Sequence, residues 1–264
     1  MIANLTSESL RKIVLDRRVF NLDEGSHWHL IFLVRRNEQD VLERAYLEPI
    51  SADVAIRFMT AINELQRLER IDLYHLFASV NDSRAVAGLA YESLGHTFLQ
   101  EGVTLTLTPM IKTYARTLFH WKAQGEEQTS DSMDLDNSEI TVSFPPNAAI
   151  VYEGTQTPIQ PNHLYVPKAR NKVALDSFFK LDPNLYIFQF NVANAHHIKK
   201  GLEKSFAGQE NIPPKTGWRF VYITPPGCEV DVKATSEVEQ ALGAVTLYPA
   251  HLEIEQRMSL IAPP

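Results

Sequence analysis

The spacing of apolar residues divides the chain into short strands and amphipathic helices. The run 29–35 (HLIFLVR) is apolar between polar flanks and predicts a short buried strand. Ser51 caps a predicted helix reaching to about Leu68, in which Val54, Phe58, Ile62 and Leu65 form one stripe. A second short helix is expected over 72–79, and the turn chemistry of Asn81, Asp82 and Ser83 follows it. That turn divides an N-terminal helical lead-in with a short strand (1–80) from a main domain (81–264). Residues 84–100 read as a helix with Ala87, Tyr91, Leu94 and Phe98 on its main stripe. Gly88, Glu92, Gly95 and Leu99 lie beside that stripe. Each glycine costs about 1 kcal/mol in a helix interior, and close approach of another element is the usual compensation. Glu92 is therefore expected on a tightly packed face.

Gly102 ends this helix, and strands are predicted at 103–110 and within 113–121. Residues 123–138 are acidic and polar without apolar period and read as a mobile loop. Further strands are predicted at 139–144, 148–153, 163–167, 173–179, 185–192 and 218–224. Asn194 is placed to cap a helix from 195 to about 206, and the last forty residues mix helix and strand signals. The fold class is mixed α/β.

Composition narrows the class. Apolar residues make up 44% and charged residues 22% of 264 positions, which excludes bulk disorder. Cys228 is the one cysteine and cannot form an internal disulfide, in keeping with a reducing compartment. The N-terminus carries no secretory pattern, and no run of about 18 apolar residues occurs. An intracellular location, cytoplasmic or nuclear, and no membrane partner are expected; the chain is also expected to be the C-terminal part of a longer protein. The net charge of −7 argues against indiscriminate coating of nucleic acid. Residues 161–220 nevertheless hold nine Lys/Arg against four acids, a local +5, so that a polyanion could be steered to one face.

Polar residues converge in this basic portion. Along 185–192, Phe188, Phe190 and Val192 alternate to one side, and Leu185, Ile187, Gln189 and Asn191 to the other. Asp176 is a lone acid among Val173, Leu175, Phe178 and Phe179, and a buried unpaired charge is costly, so it needs a partner. No His/Cys spacing suits zinc, and neither a G-x-S-x-G elbow nor a phosphate-cradling GxxxxGK[ST] loop occurs. Glu92 also reads as an ordinary half-buried helix acid, Gln189 and Asn191 as the polar end of a core strand, and His196 and His197 as capping or surface residues.

The run Tyr91-Glu92-Ser93-Leu94-Gly95-His96, the stretch 171–176, then Gln189-Phe190-Asn191 and His196-His197-Ile198, resembles the C-terminal region of Crinkler/RHS-like effector proteins of fungi and oomycetes. That region is assigned to the PD-(D/E)xK, restriction-endonuclease-like nuclease fold. The resemblance covers about residues 50–250 and implies a central sheet flanked by helices. It implies Glu92 on the first core helix, Asp176 on the second core strand and Gln189 on the third as ligands of a catalytic Mg²⁺. Hard oxygen donors of this kind suit that ion. Many such proteins carry an NTPase domain upstream, which would here be a separate domain or partner. Where the motif expects a lysine, this chain has Asn191, which supplies no formal charge to the reacting phosphate.

Three functions follow as expectations. The first is a Mg²⁺-dependent DNA nuclease, slow or inactive through Asn191. The second is a non-catalytic nucleic-acid-binding module using Lys168, Arg170, Lys172, Lys199 and Lys200. The third is a protein-interaction effector module.

Overall fold

A computed structural model describes residues 32–35, 46–49, 51–79, 84–115, 118–123, 138–153, 158–168, 175–192, 195–197 and 201–254. The protein is mixed α/β and divides into two compact units, Met1–Gly95 and His96–Pro264. The loop predicted at 123–138 falls almost wholly outside the described residues.

In the first unit, β1 (Phe32–Arg35) pairs antiparallel with β2 (Tyr46–Pro49). Helix α1 (Ala52–Glu64) buries Phe58 and Ile62 completely, as the stripe requires. The apolar period runs on through Leu65, yet the helix stops and α2 (Arg67–Ala78) begins. The reason is a capping box: Gln66 side chain and Glu69 carboxylate satisfy each other's backbone amides, with Gln66 N–H donating to Glu69 Oε2 at 3.1 Å. Helix α2 therefore starts earlier than the 72–79 expected. Phe77 meets the Phe58 ring edge-on at 6.4 Å, and Tyr74 tilts against Tyr91 at 5.4 Å. Tyr91 belongs to α3 (Arg84–Glu101), whose stripe residues Ala87, Tyr91, Leu94 and Phe98 are all fully buried.

Beyond α3 the second unit is built mainly of strands. Gly102, at φ +89°, supplies the left-handed residue that ends the helix, and a Cβ there would stand 2.9 Å from Pro146 Cδ. Asn147 then covers the helix end. Its N–H donates to the Gln100 carbonyl at 2.8 Å and its Nδ2 to the Leu99 carbonyl at 2.7 Å. Strand β3 (Val103–Leu107) pairs with β6 (Ile140–Phe144), and β4 (Ile111–Ala115) forms a hairpin with β5 (Leu118–Lys122). There follow β7 (Ala149–Tyr152), β8 (Leu164–Pro167), β9 (Ser177–Leu181) and β10 (Asn184–Phe190).

The helix expected from 195 to 206 is corrected here. Residues Ala195–His197 are a strand, β11, and helix α4 is only Leu202–Phe206, preceded by Gly201 at φ +113°. Strand pairing overrides local helix preference: β11 lies parallel to β13 (Asp231–Thr235). The chain is completed by β12 (Trp218–Thr224), helix α5 (Ser236–Leu242) and β14 (Thr246–His251).

Two larger sheets result. One has the order β14-β12-β10-β9-β8-β7, the other β11-β13-β5-β4. In the first, β9 alone is antiparallel to its neighbours, so the other five strands run one way. Register fixes which residues share a face. Leu185 and Ile187 lie with Phe178, Trp218 and Phe220, and pack with Trp121, Val232 and Ala234 of the second sheet and with Phe206 and Leu242. On the opposite face Phe144 of β6 inserts its ring among Phe179, Tyr186 and Phe188 at 5.1–5.5 Å. With both faces covered, the central strands read as nearly continuous apolar runs.

Candidate functional site

Because five strands of the large sheet are co-directional, their carboxyl ends form one edge. Tyr152, Pro167, Phe190, Thr224 and His251 end their strands there, and Ser177 begins β9 there. Ligands of open sheets with parallel strands gather outside this edge.

Asp176, expected inside a strand over 173–179, stands one residue before β9, which begins at Ser177. Its N–H donates to the Phe188 carbonyl at 3.0 Å, and its Oδ2 accepts the Phe190 N–H at 2.8 Å. These two bonds flank Gln189, so Asp176 sits opposite Gln189 at the end of directly paired strands. A backbone amide is thus one partner of this half-buried acid. Gln189, half-buried, alternates onto the face of Ile187, and the next residue on that face is Asn191. The Asn191 N–H extends the ladder by donating to the Ile223 carbonyl at 2.9 Å. On the other face Phe190 meets the buried His96 ring edge-on at 5.0 Å.

Glu92 is half-buried on α3 within the first unit, whereas Asp176 and Gln189 belong to the second. Next to it in the chain, Ser93 is buried, its Oγ donating to Asn63 Oδ1 at 2.5 Å and accepting from Arg70 at 3.3 Å.

The basic residues do not form one patch among the described residues. Lys168 is at the carboxyl edge, exposed, with its Nζ 2.8 Å from Glu153; that pairing raises the Lys168 pKa. Lys180 pairs with Asp182 at 3.3 Å, and Arg219 donates to the Thr216 carbonyl at 2.7 Å, both at the opposite edge. Lys215 is engaged by Glu203. Arg170, Lys172, Lys199 and Lys200 lie outside the described residues.

Two residues at this edge escape sequence reasoning. Thr224 is fully buried, and its hydroxyl lies 3.1 Å from His251 Nδ1. The signal was present: two apolar strands, WRFVYIT and TLYPAH, each end in a polar residue.

A Mg²⁺ ion takes oxygen ligands, keeps several waters and needs only one or two protein carboxylates. Asp176 offers one carboxylate, already shared with an amide, and Gln189 and Asn191 offer amide oxygens. Such a donor set suits a weakly held, water-rich ion. Among the described residues no group of three or more His, Cys, Asp or Glu side chains could hold a metal, and no helix is long and apolar enough to cross a membrane. No protein-family model, curated protein or solved structure matches the chain.

Proposed function

We propose that the second unit is a restriction-endonuclease-like module that binds DNA at its carboxyl edge and hydrolyses it slowly with Mg²⁺. The observation that supports this most is the direct pairing of β9 with β10, which brings Asp176 opposite Gln189 with Asn191 next on the same face. In this reading Asp176 and Gln189 hold the ion, which when bound neutralises phosphate charge and lowers the pKa of an attacking water. Asn191 orients that water or the phosphate by hydrogen bonds alone, and the missing charge makes the reaction slow. Lys168 contributes a backbone contact of the sequence-independent kind.

A second reading is a non-catalytic module of the same fold. It is favoured by the Phe190 amide, which already uses one oxygen of Asp176. Titration of Mg²⁺ into ¹⁵N-labelled protein separates the two. Saturable shifts at Gln189–Asn191 that vanish in Asp176→Asn support the nuclease reading. DNA binding without any such shifts supports the module. Absence of salt-dependent DNA binding would remove both nucleic-acid readings.

A further inference from the structure

The polar carboxyl edge continues beyond Asn191 onto two strands. Parallel register sets Gln189 beside Tyr222, and Thr224 beside His251. Since side chains alternate, Gln189, Asn191, Tyr222, Thr224 and His251 fall on one face. The Thr224 hydroxyl has no solvent exposure, and it lies 3.1 Å from Nδ1 of the exposed His251 ring. A buried hydroxyl fixed on a strand holds the imidazole by one nitrogen, which leaves Nε2 on the far side of the ring. Among the described residues no carboxylate lies within ion-pair reach of His251. An imidazole oriented in this way, with its other nitrogen available, is a donor to an anion.

We propose that His251, held by Thr224, donates from Nε2 to a phosphodiester oxygen of the DNA at this edge. Thr224 is the positioning residue and His251 the contacting one. The inference rests on the reading of DNA as ligand. From β10 to β14 the row crosses two strand spacings, about 10 Å, so Gln189 and Asn191 at one end and His251 at the other would meet different phosphates rather than one isolated ion.

The test uses the full chain at one fixed pH, with a duplex oligonucleotide and, separately, inorganic phosphate as probes. Imidazole ¹⁵N resonances are followed, His251 being assigned with His251→Gln. The expected result is that duplex DNA moves the His251 Nε2 resonance and phosphate at the same charge concentration does not. His251→Gln should weaken duplex binding about tenfold, the effect of losing one hydrogen bond to a charged group. Thr224→Val should weaken it comparably, and Thr224→Ser should restore it. If Thr224→Val fails to fold, the exposed His251 decides alone. Duplex binding with an unmoved His251 resonance and unchanged His251→Gln affinity would overturn this inference and leave the DNA reading standing. An equal response to inorganic phosphate would overturn it in favour of a free-anion site. No duplex binding by the wild type would overturn the DNA reading, and this inference with it.

Discussion

At Asp176 one carboxylate oxygen already accepts the Phe190 N–H at 2.8 Å, so substitution there has a stability consequence whatever the ligand. Asp176→Ala leaves a part-buried amide without an acceptor and should cost about 1–3 kcal/mol in urea unfolding. Asp176→Asn keeps an oxygen at the same place and should cost clearly less. Equal losses would show that the charge, not the hydrogen bond, is what the fold uses. The need for a partner was legible in the sequence, since a lone acid stood in an apolar strand. Its identity was not, because a backbone amide leaves no mark in the order of side chains. Thr224 and His251 were hidden for a related reason. Each is unremarkable alone, and only the register of β12 against β14 brings hydroxyl and imidazole together.

The junction of α3 with the sheet depends on Asn147, whose side chain bonds the carbonyls of Leu99 and Pro145 and the N–H of Leu164 at 2.7–3.2 Å. Asn147→Ala removes three hydrogen bonds at a half-buried site and should cost about 2–3 kcal/mol. The melting temperature should fall by several degrees, at about 2–4 °C per kcal/mol for a chain of this size. A shift under one degree would mean that water replaces the side chain without loss. At the scale of elements, alternation and helical period located α3, β8 and β12 almost to the residue, and β10 to within two residues. The misreadings arose where local pattern and pairing disagree. The stripe of α1 runs through a helix break made by Gln66 and Glu69, and β11 exists because β13, encoded much later, lies beside it.

Across the whole molecule, buried tyrosines tie stability to alkaline pH. Burial holds the Tyr222 and Tyr152 hydroxyls above the ordinary value of 10.0, and raises Tyr186 as well. A folded-state pKa raised above the unfolded one stabilises fully at lower pH, and the contribution is lost as pH rises from 10 toward the folded value. Urea midpoints should therefore fall steeply from about pH 10 upward, and Tyr222→Phe should flatten the fall. Parallel pH dependence in wild type and variant would contradict this origin.

Asp176, Gln189 and Asn191 are proposed to form a weakened nuclease site. Its most direct test is plasmid cleavage with and without Mg²⁺ by wild type, Asn191→Lys, and Asn191→Lys combined with Asp176→Ala, each first shown to be folded. Weak or undetectable cleavage by the wild type is predicted. Restoring a charge-stabilising group should raise the Mg²⁺-dependent rate by about 10²–10³. Removing the Asp176 carboxylate should then abolish the gain. Cleavage by Asn191→Lys no faster than by wild type, or a gain that survives the loss of Asp176, would contradict a weakened metal site.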